Sequence, residues 1–157
     1  MKKDRWPNAI KILKPESAVV REDWRLSWNL GWCYFKLDRL DDARKHMIRA
    51  ARLAPENPTC NWGLGTVYLK RKHFKKAEAR LAESLKAKES HITRSALALA
   101  LLSQGKVAEA ENVRLEGIKL KPRSESYESY AAFLSDVGRE READMMTQKA
   151  KRLQRIN

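Results

Sequence analysis

One residue register recurs four times along this chain, and that recurrence restricts the possible folds more than any other feature. Leu30-Gly31-x2-Tyr34 returns as Leu64-Gly65-x2-Tyr68, then in weaker form as Leu97-Ala98-x2-Leu101 and Tyr130-Ala131-x2-Leu134, at shifts of 34, 33 and 33 residues. Twelve residues after each small residue of that group stands an alanine: Ala43, Ala77, Ala110 and Ala143. Seven further on comes another small residue, Ala50, Ser84, Gly117 or Ala150. A period of this length means a stack of supersecondary units, each too small to bury its own apolar face and completed by its neighbours.

Each unit reads as two antiparallel helices, with small residues where the helices cross closely. Leu40, Ala43, Met47, Ala50 and Leu53 step by three or four, and Ala77, Leu81, Ser84 and Leu85 fall at i, i+4, i+7 and i+8 of the same helical face. Arg44, Lys45, Arg49 and Arg52, then Lys75, Lys76, Arg80 and Lys86, fall on the opposite, solvated faces. Breaks between paired helices are expected at Asp38-Arg39, Lys72-His73, Gly105-Lys106 and Gly138-Arg139, where the two glycines supply the positive φ of a tight helix end. Pro55-Glu56-Asn57-Pro58 and Pro122-Arg123-Ser124 separate consecutive units. Ala96-Leu97-Ala98-Leu99-Ala100-Leu101 alternates like a strand, but Ala and Leu are helix formers and the register puts the segment on a first helix.

The pattern resembles the tetratricopeptide repeat family, 34-residue helix-turn-helix units marked by Trp-x2-Leu-Gly-x2-Tyr, Ala-x3-Phe and Pro. Residues 24–57 carry it best, through Leu30, Gly31, Tyr34, Ala43, Ala50 and Pro55. Departures are Ser27, Asn61 and Arg94 in place of the leading Trp, Glu89 in place of the closing Pro, and Arg114 and Thr147 in place of a large apolar residue. The resemblance implies an all-α fold, a right-handed α-α superhelix of about four units at 24–57, 58–90, 91–123 and 124–157. Residues 1–23 form an N-terminal helical extension or degenerate half repeat, expected as two short helices because Pro15 would break one long one. The last helix keeps Ala143, Met146, Ala150 and Leu153 on one face and suits a solvated cap, so the array is expected to end there.

In this family the first helices line a concave wall that binds extended or helical segments of other proteins. The resemblance puts Arg25, Trp28, Asn29, Trp32, Phe35 and Lys36 on that wall, followed by Trp62, Thr66, Leu69 and Lys70, then Leu99 and Leu102, then Glu125 and Glu128. Such a groove is aromatic at its start and acidic at its end. The expected function is a noncatalytic adaptor or scaffold, with a protein or peptide as partner. The alternatives are that the rings pack between units, or that residues 1–23 fold over them through Trp6, Ile10 and Leu13. A family subclass clamps acidic tails with Lys, Asn and Arg, but Trp28, Trp32, Gly63, Ile92 and Ala96 occupy the corresponding positions and offer no cation.

The formal net charge of +13 bears on partners rather than fold. It peaks at Lys70, Arg71, Lys72, Lys75 and Lys76, a basic surface that would dock RNA, an acidic protein or anionic lipid, or would simply keep the chain in solution. Base-by-base RNA readout needs small polar residues on the inner helices, and Trp28, Trp62 and Glu128 do not supply them. A secretion-type chaperone shielding an apolar client segment remains an alternative use of the same groove. No run approaches the roughly 18 apolar residues of a membrane span, and two cysteines make no disulfide scaffold, so a cytoplasmic, reducing location is expected. Cys33 and Cys60 occupy small-residue positions of adjacent first helices. His46, His73 and His91 are isolated, Gly63-Leu64-Gly65 follows no strand, and the acid pairs sit at helix starts. No cofactor, metal or catalytic constellation is implied.

Overall fold

The computed structural model describes residues 5–19 and 22–156; residues 1–4, 20–21 and 157 of the expected N-terminal extension and last helix lie outside them. The described residues are all-α. Nine helices follow in chain order: α1 (Arg5–Val19), α2 (Trp24–Lys36), α3 (Leu40–Leu53), α4 (Pro58–Lys70), α5 (Phe74–Ala87), α6 (His91–Leu102), α7 (Val107–Leu120), α8 (Ser124–Asp136) and α9 (Glu140–Ile156). They fall into two compact units, Met1–Glu89 and Ser90–Asn157.

The second helix of each pair lies against the first: α2 with α3 and α4 with α5 in the first unit, α6 with α7 and α8 with α9 in the second. All twelve small residues of the recurring register are buried. Leu30, Met47, Leu64 and Leu81 fill the first unit between them, and Phe133 and Leu134 do so in the second.

All four turns within pairs are built alike. The residue in the left-handed region is Asp38, Lys72, Gly105 or Gly138, with φ of 61°, 60°, 76° and 79°. Its own N–H bonds back to Phe35, Leu69, Leu102 or Ser135, and the next N–H reaches the carbonyl of Tyr34, Tyr68, Leu101 or Leu134 at 2.8–3.1 Å. This is the Schellman arrangement, which satisfies carbonyls that a helix end leaves unpaired. Asp38 and Lys72 adopt it without glycine's freedom, at about 1–2 kcal/mol each. Lys72→Gly is therefore expected to raise stability by up to about 1 kcal/mol once the greater entropy of the unfolded chain is subtracted, seen as a higher midpoint of thermal unfolding. An unchanged or lower midpoint would contradict it.

The starts of α2, α4 and α6 are fixed by side chains. Asp23 Oδ1 accepts from Arg25 N at 2.7 Å, Asn57 Oδ1 from Thr59 N and Cys60 N at 2.9 and 3.2 Å, and Ser90 Oγ from Thr93 N at 3.4 Å. Pro58 takes the first helical position of α4, where its missing N–H costs nothing.

The N-terminal extension corrects the expectation of two short helices. α1 is continuous, with Pro15 inside it. Proline removes one intrahelical bond, but α1 packs on α2, and Ile10 and Leu13 lie against the core of the first unit. Tertiary burial of that face offsets a local cost of about 3 kcal/mol.

Candidate functional site

In the first unit, neighbouring α2 and α4 bring four expected wall residues together. Trp28, Trp32 and Phe35 lie at i, i+4 and i+7 along one face of α2 and stack in series, with ring centroids 5.5 Å and 5.2 Å apart and planes 10° and 18° from parallel. Trp62 of α4 meets Trp28 at 6.5 Å and Trp32 at 5.3 Å. Trp28 Nε1 donates to the Thr59 carbonyl at 3.1 Å, which ties α2 to the first turn of α4.

These rings do two things at once. Trp28, Trp32 and Phe35 pack against the buried cluster of Leu30, Met47 and Leu64, yet all four aromatic side chains keep part of their surface exposed. α1 therefore does not cover them fully. Gly63 makes the close approach possible: a Cβ there would stand 2.7 Å from Trp28 Nε1 and 2.9 Å from Met47 Sδ. Lys36 Nζ lies 4.7 Å from the Trp32 ring centre and Lys70 Nζ 5.2 Å from that of Phe35, at cation–π distance.

The remaining residues expected on the wall of this unit are Arg25, Asn29 and Lys36, which are exposed, and Thr66 and Leu69, which are half-buried. Arg25 lies over Trp24, and Thr66 Oγ1 donates to the Trp62 carbonyl at 2.9 Å. In the second unit Leu99 is exposed and Leu102 half-buried on α6, while Glu125 and Glu128 are exposed on α8. Gln154 Nε2 donates to Glu128 at 2.6 Å.

Part of the basic surface is engaged within the fold. Lys70 Nζ pairs with Asp38 at 2.6 Å and Arg71 Nη1 with Asp41 at 2.7 Å, so two of its cations neutralise the turn and second helix of the preceding pair. Lys72, Lys75 and Lys76 are exposed, Lys76 with its ammonium 5.9 Å from the Tyr68 ring.

Three polar residues at the leading Trp positions point into the core, and spacing alone did not indicate what they bind. Asn61 Nδ2 donates to the Pro55 carbonyl at 2.6 Å, Ser27 is buried on α2, and Arg94 Nη1 reaches the Val113 carbonyl at 3.0 Å and Glu116 Oε2 at 3.1 Å. Cys33 and Cys60 are free and buried, and desolvation pushes the Cys60 thiol up to about 11, far from nucleophilic use at neutral pH. Among the described residues no His, Cys, Asp and Glu side chains gather as a metal site, and no helix is long and apolar enough to cross a membrane.

Two tetratricopeptide repeat family models match the sequence, one over residues 24–57 and the other over residues 62–119. No curated protein matches it significantly. Among solved structures, a crystal structure of MamA aligns with a TM-score of 0.80 at 19% identity over 98% of this chain and 91% of that one. MamA from residue 41 onward of Desulfovibrio magneticus RS-1 gives 0.80 at 18% identity, covering 97% and 87%. MamA AMB-1 gives 0.76 at 23% identity, covering 99% and 94%. At these identities the likeness to MamA is one of fold, whereas the repeat models together span more than half of the sequence. The chain belongs to the tetratricopeptide repeat family.

Proposed function

We propose that the protein is a noncatalytic adaptor whose repeats, in units 24–57, 58–90, 91–123 and 124–157, hold a helix or extended segment of a partner protein. The aromatic wall of α2 and α4 is the contact that matters most. The observation that carries this reading is the stack of Trp28, Trp32, Phe35 and Trp62, partly exposed on two neighbouring first helices. Rigid rings supply contact area at little entropic cost, and Trp dominates binding hot spots. Their mutual stacking, with Lys36 and Lys70 above two of them, occupies many of the ring faces. That suits apolar anchors of a peptide better than nucleobases, which need open faces. Docking through the basic surface is the weaker reading, since Lys70 and Arg71 already pair with Asp38 and Asp41. A chaperone for an apolar client would use the same wall.

The test is capture of partners by the full chain and by a Trp28→Ala, Trp32→Ala, Trp62→Ala variant, at low and high salt. Capture should persist in high salt and vanish in the variant, with far-UV helicity retained. Capture that survives all three changes contradicts the wall, and capture lost with added salt favours the basic surface instead. Trp32→Phe and Trp62→Phe, which keep a ring, should retain most of the binding.

A further inference from the structure

The second unit contains a cationic pocket that the aromatic wall neither uses nor needs. His91, Arg94 and Ser95 of α6, Arg114 and Gly117 of α7, and Ser126 and Ser129 of α8 line it. Two of these residues are the departures noted in the repeat pattern, arginines standing where the family has a Trp and a large apolar residue. Both guanidinium groups are drawn inward. Arg94 is 9% exposed, and burial holds the pKa of Arg114 below its usual value.

Room for the first arginine comes from Gly117, where a Cβ would stand 2.8 Å from Arg94 Cδ. The second is aimed by α8: Arg114 Nη1 donates to the Ser129 carbonyl at 2.7 Å and to the Ser129 hydroxyl, with Phe133 under its plane at 5.4 Å. Ser95 Oγ lies 2.5 Å from Ser129 Oγ. The Nε–H of Arg114 is buried and has no hydrogen-bond partner, an orphaned donor of a kind folded proteins rarely keep.

The carboxylates beside the two guanidinium groups are solvated. Glu116, which pairs with Arg94, is largely exposed, its side chain retaining 66% of its surface. Asp136, also exposed, favours the charged form of Arg114, and carboxylates held in water in this way are screened and compete only weakly with an anion at the pocket. Arg94 and Ser126 belong to the first turns of α6 and α8, whose N-terminal ends add partial positive charge at the pocket. The cavity volume is about 10 Å3, space for one compact group.

We propose that this pocket binds a single phosphate group, gripped by Arg114 and Arg94 and hydrogen-bonded by the hydroxyls of Ser95 and Ser129. Planar guanidinium forks match phosphate oxygens in pairs, and each such bond is charge-assisted. The site is independent of the aromatic wall and would stand if that wall had no partner.

Thermal unfolding of the full chain in inorganic phosphate, set against sodium chloride of equal ionic strength, tests it. Phosphate should raise the midpoint beyond the chloride control in a saturable way. Arg114→Leu places an apolar residue where the family has one, so it should fold by far-UV circular dichroism and lose the response, with an apparent Kd weaker by at least about tenfold. Arg114→Lys keeps the charge without the fork and should bind less well than the native chain; it carries the test should the leucine variant fail to fold. A response equal in chloride, or undiminished in both variants, overturns the proposal. A phosphoserine peptide compared with free phosphate identifies the source: tighter binding means a group carried on a partner chain, and equal or weaker binding means the free ion.

Discussion

Leu81→Ala is expected to cost the α4–α5 pair about 3–5 kcal/mol, and Gly65→Ala about 1–2 kcal/mol, even though alanine is the better helix former. Leu81 is fully buried, so its truncation leaves a cavity that the close-packed surroundings refill only in part. Gly65 faces it across the repeat. A Cβ there would stand 2.7 Å from Leu81 Cγ and 2.9 Å from Cδ2, with the Ala77 carbonyl at 3.4 Å closing the other side. Cγ is the branch point of the side chain and cannot swing away without moving both methyl groups. The overpacking therefore outweighs the gain in helix propensity. Combined, the two changes should cost less than their sum by about 0.5–3 kcal/mol, because the smaller residue at 81 vacates the space the new methyl needs. Gly31→Ala is the control. Its Cβ would approach Met47 Cγ at 3.0 Å and Met47 Cε and Sδ at 3.2 Å, atoms of an unbranched side chain that can shift, so its effect should stay within about 1 kcal/mol. Additive losses at 65 and 81 in denaturant titration, or an equal loss at 31, would remove this account of the repeat's small residues.

The same glycines explain why so much of the fold was legible from spacing. A repeat writes its packing into the sequence several times, so Gly31, Gly65, Ala98 and Ala131 mark a close helix crossing together where any one alone would mean little. The turns were legible for a related reason, since Gly105 and Gly138 announce a left-handed residue. Asp38 and Lys72 reach the same conformation with no such marker, and only the shared register placed their turns. α1 was misread because Pro15 has a known local cost, whereas the burial of Ile10 and Leu13 that offsets it is a tertiary property. The aromatic stack was visible in part: the family resemblance put Trp28, Trp32, Phe35 and Trp62 on one wall, while their stacking on one another depends on side-chain paths. The pairing of Lys70 with Asp38 and Arg71 with Asp41 was not visible, because offsets of about 30 residues carry meaning only once neighbouring pairs are stacked. Nor was the cationic pocket. Arg94 and Arg114 registered as departures from an apolar pattern, and their convergence depends on side-chain paths that no spacing rule supplies.

Raising the pH from 8 to 12 is expected to withdraw about 2–3 kcal/mol from the second unit through one tyrosine. Tyr130 is 6% exposed, and its hydroxyl donates to Glu111 Oε1 at 2.6 Å. Arg139 Nη1 donates to the same oxygen at 2.7 Å and clasps Glu142 at 2.7 Å through Nε and Nη2. Burial, and then the hydrogen bond to Glu111, push the tyrosine up to about 12 from an ordinary value near 10. The folded state thus holds its proton more tightly than the unfolded chain does. That stabilisation is complete below about pH 10, where both states keep the proton, and drains away between about 10 and 12 as the unfolded state ionises first. Glu111 runs the opposite way. Hydrogen bonds from Tyr130 and Arg139 hold it below the usual carboxylate range, so its contribution is present at neutral pH and disappears in acid. Tyr130→Phe removes the hydroxyl while keeping the ring near Phe133, so it should cost about 1.5–3 kcal/mol at pH 8 and progressively less toward pH 12. Lysines also titrate in this window, but they do so in both proteins, and the difference between the two unfolding curves isolates the tyrosine. A gap between native and variant stability that stays constant from pH 8 to 12 would show that the hydroxyl's proton is not held by the fold.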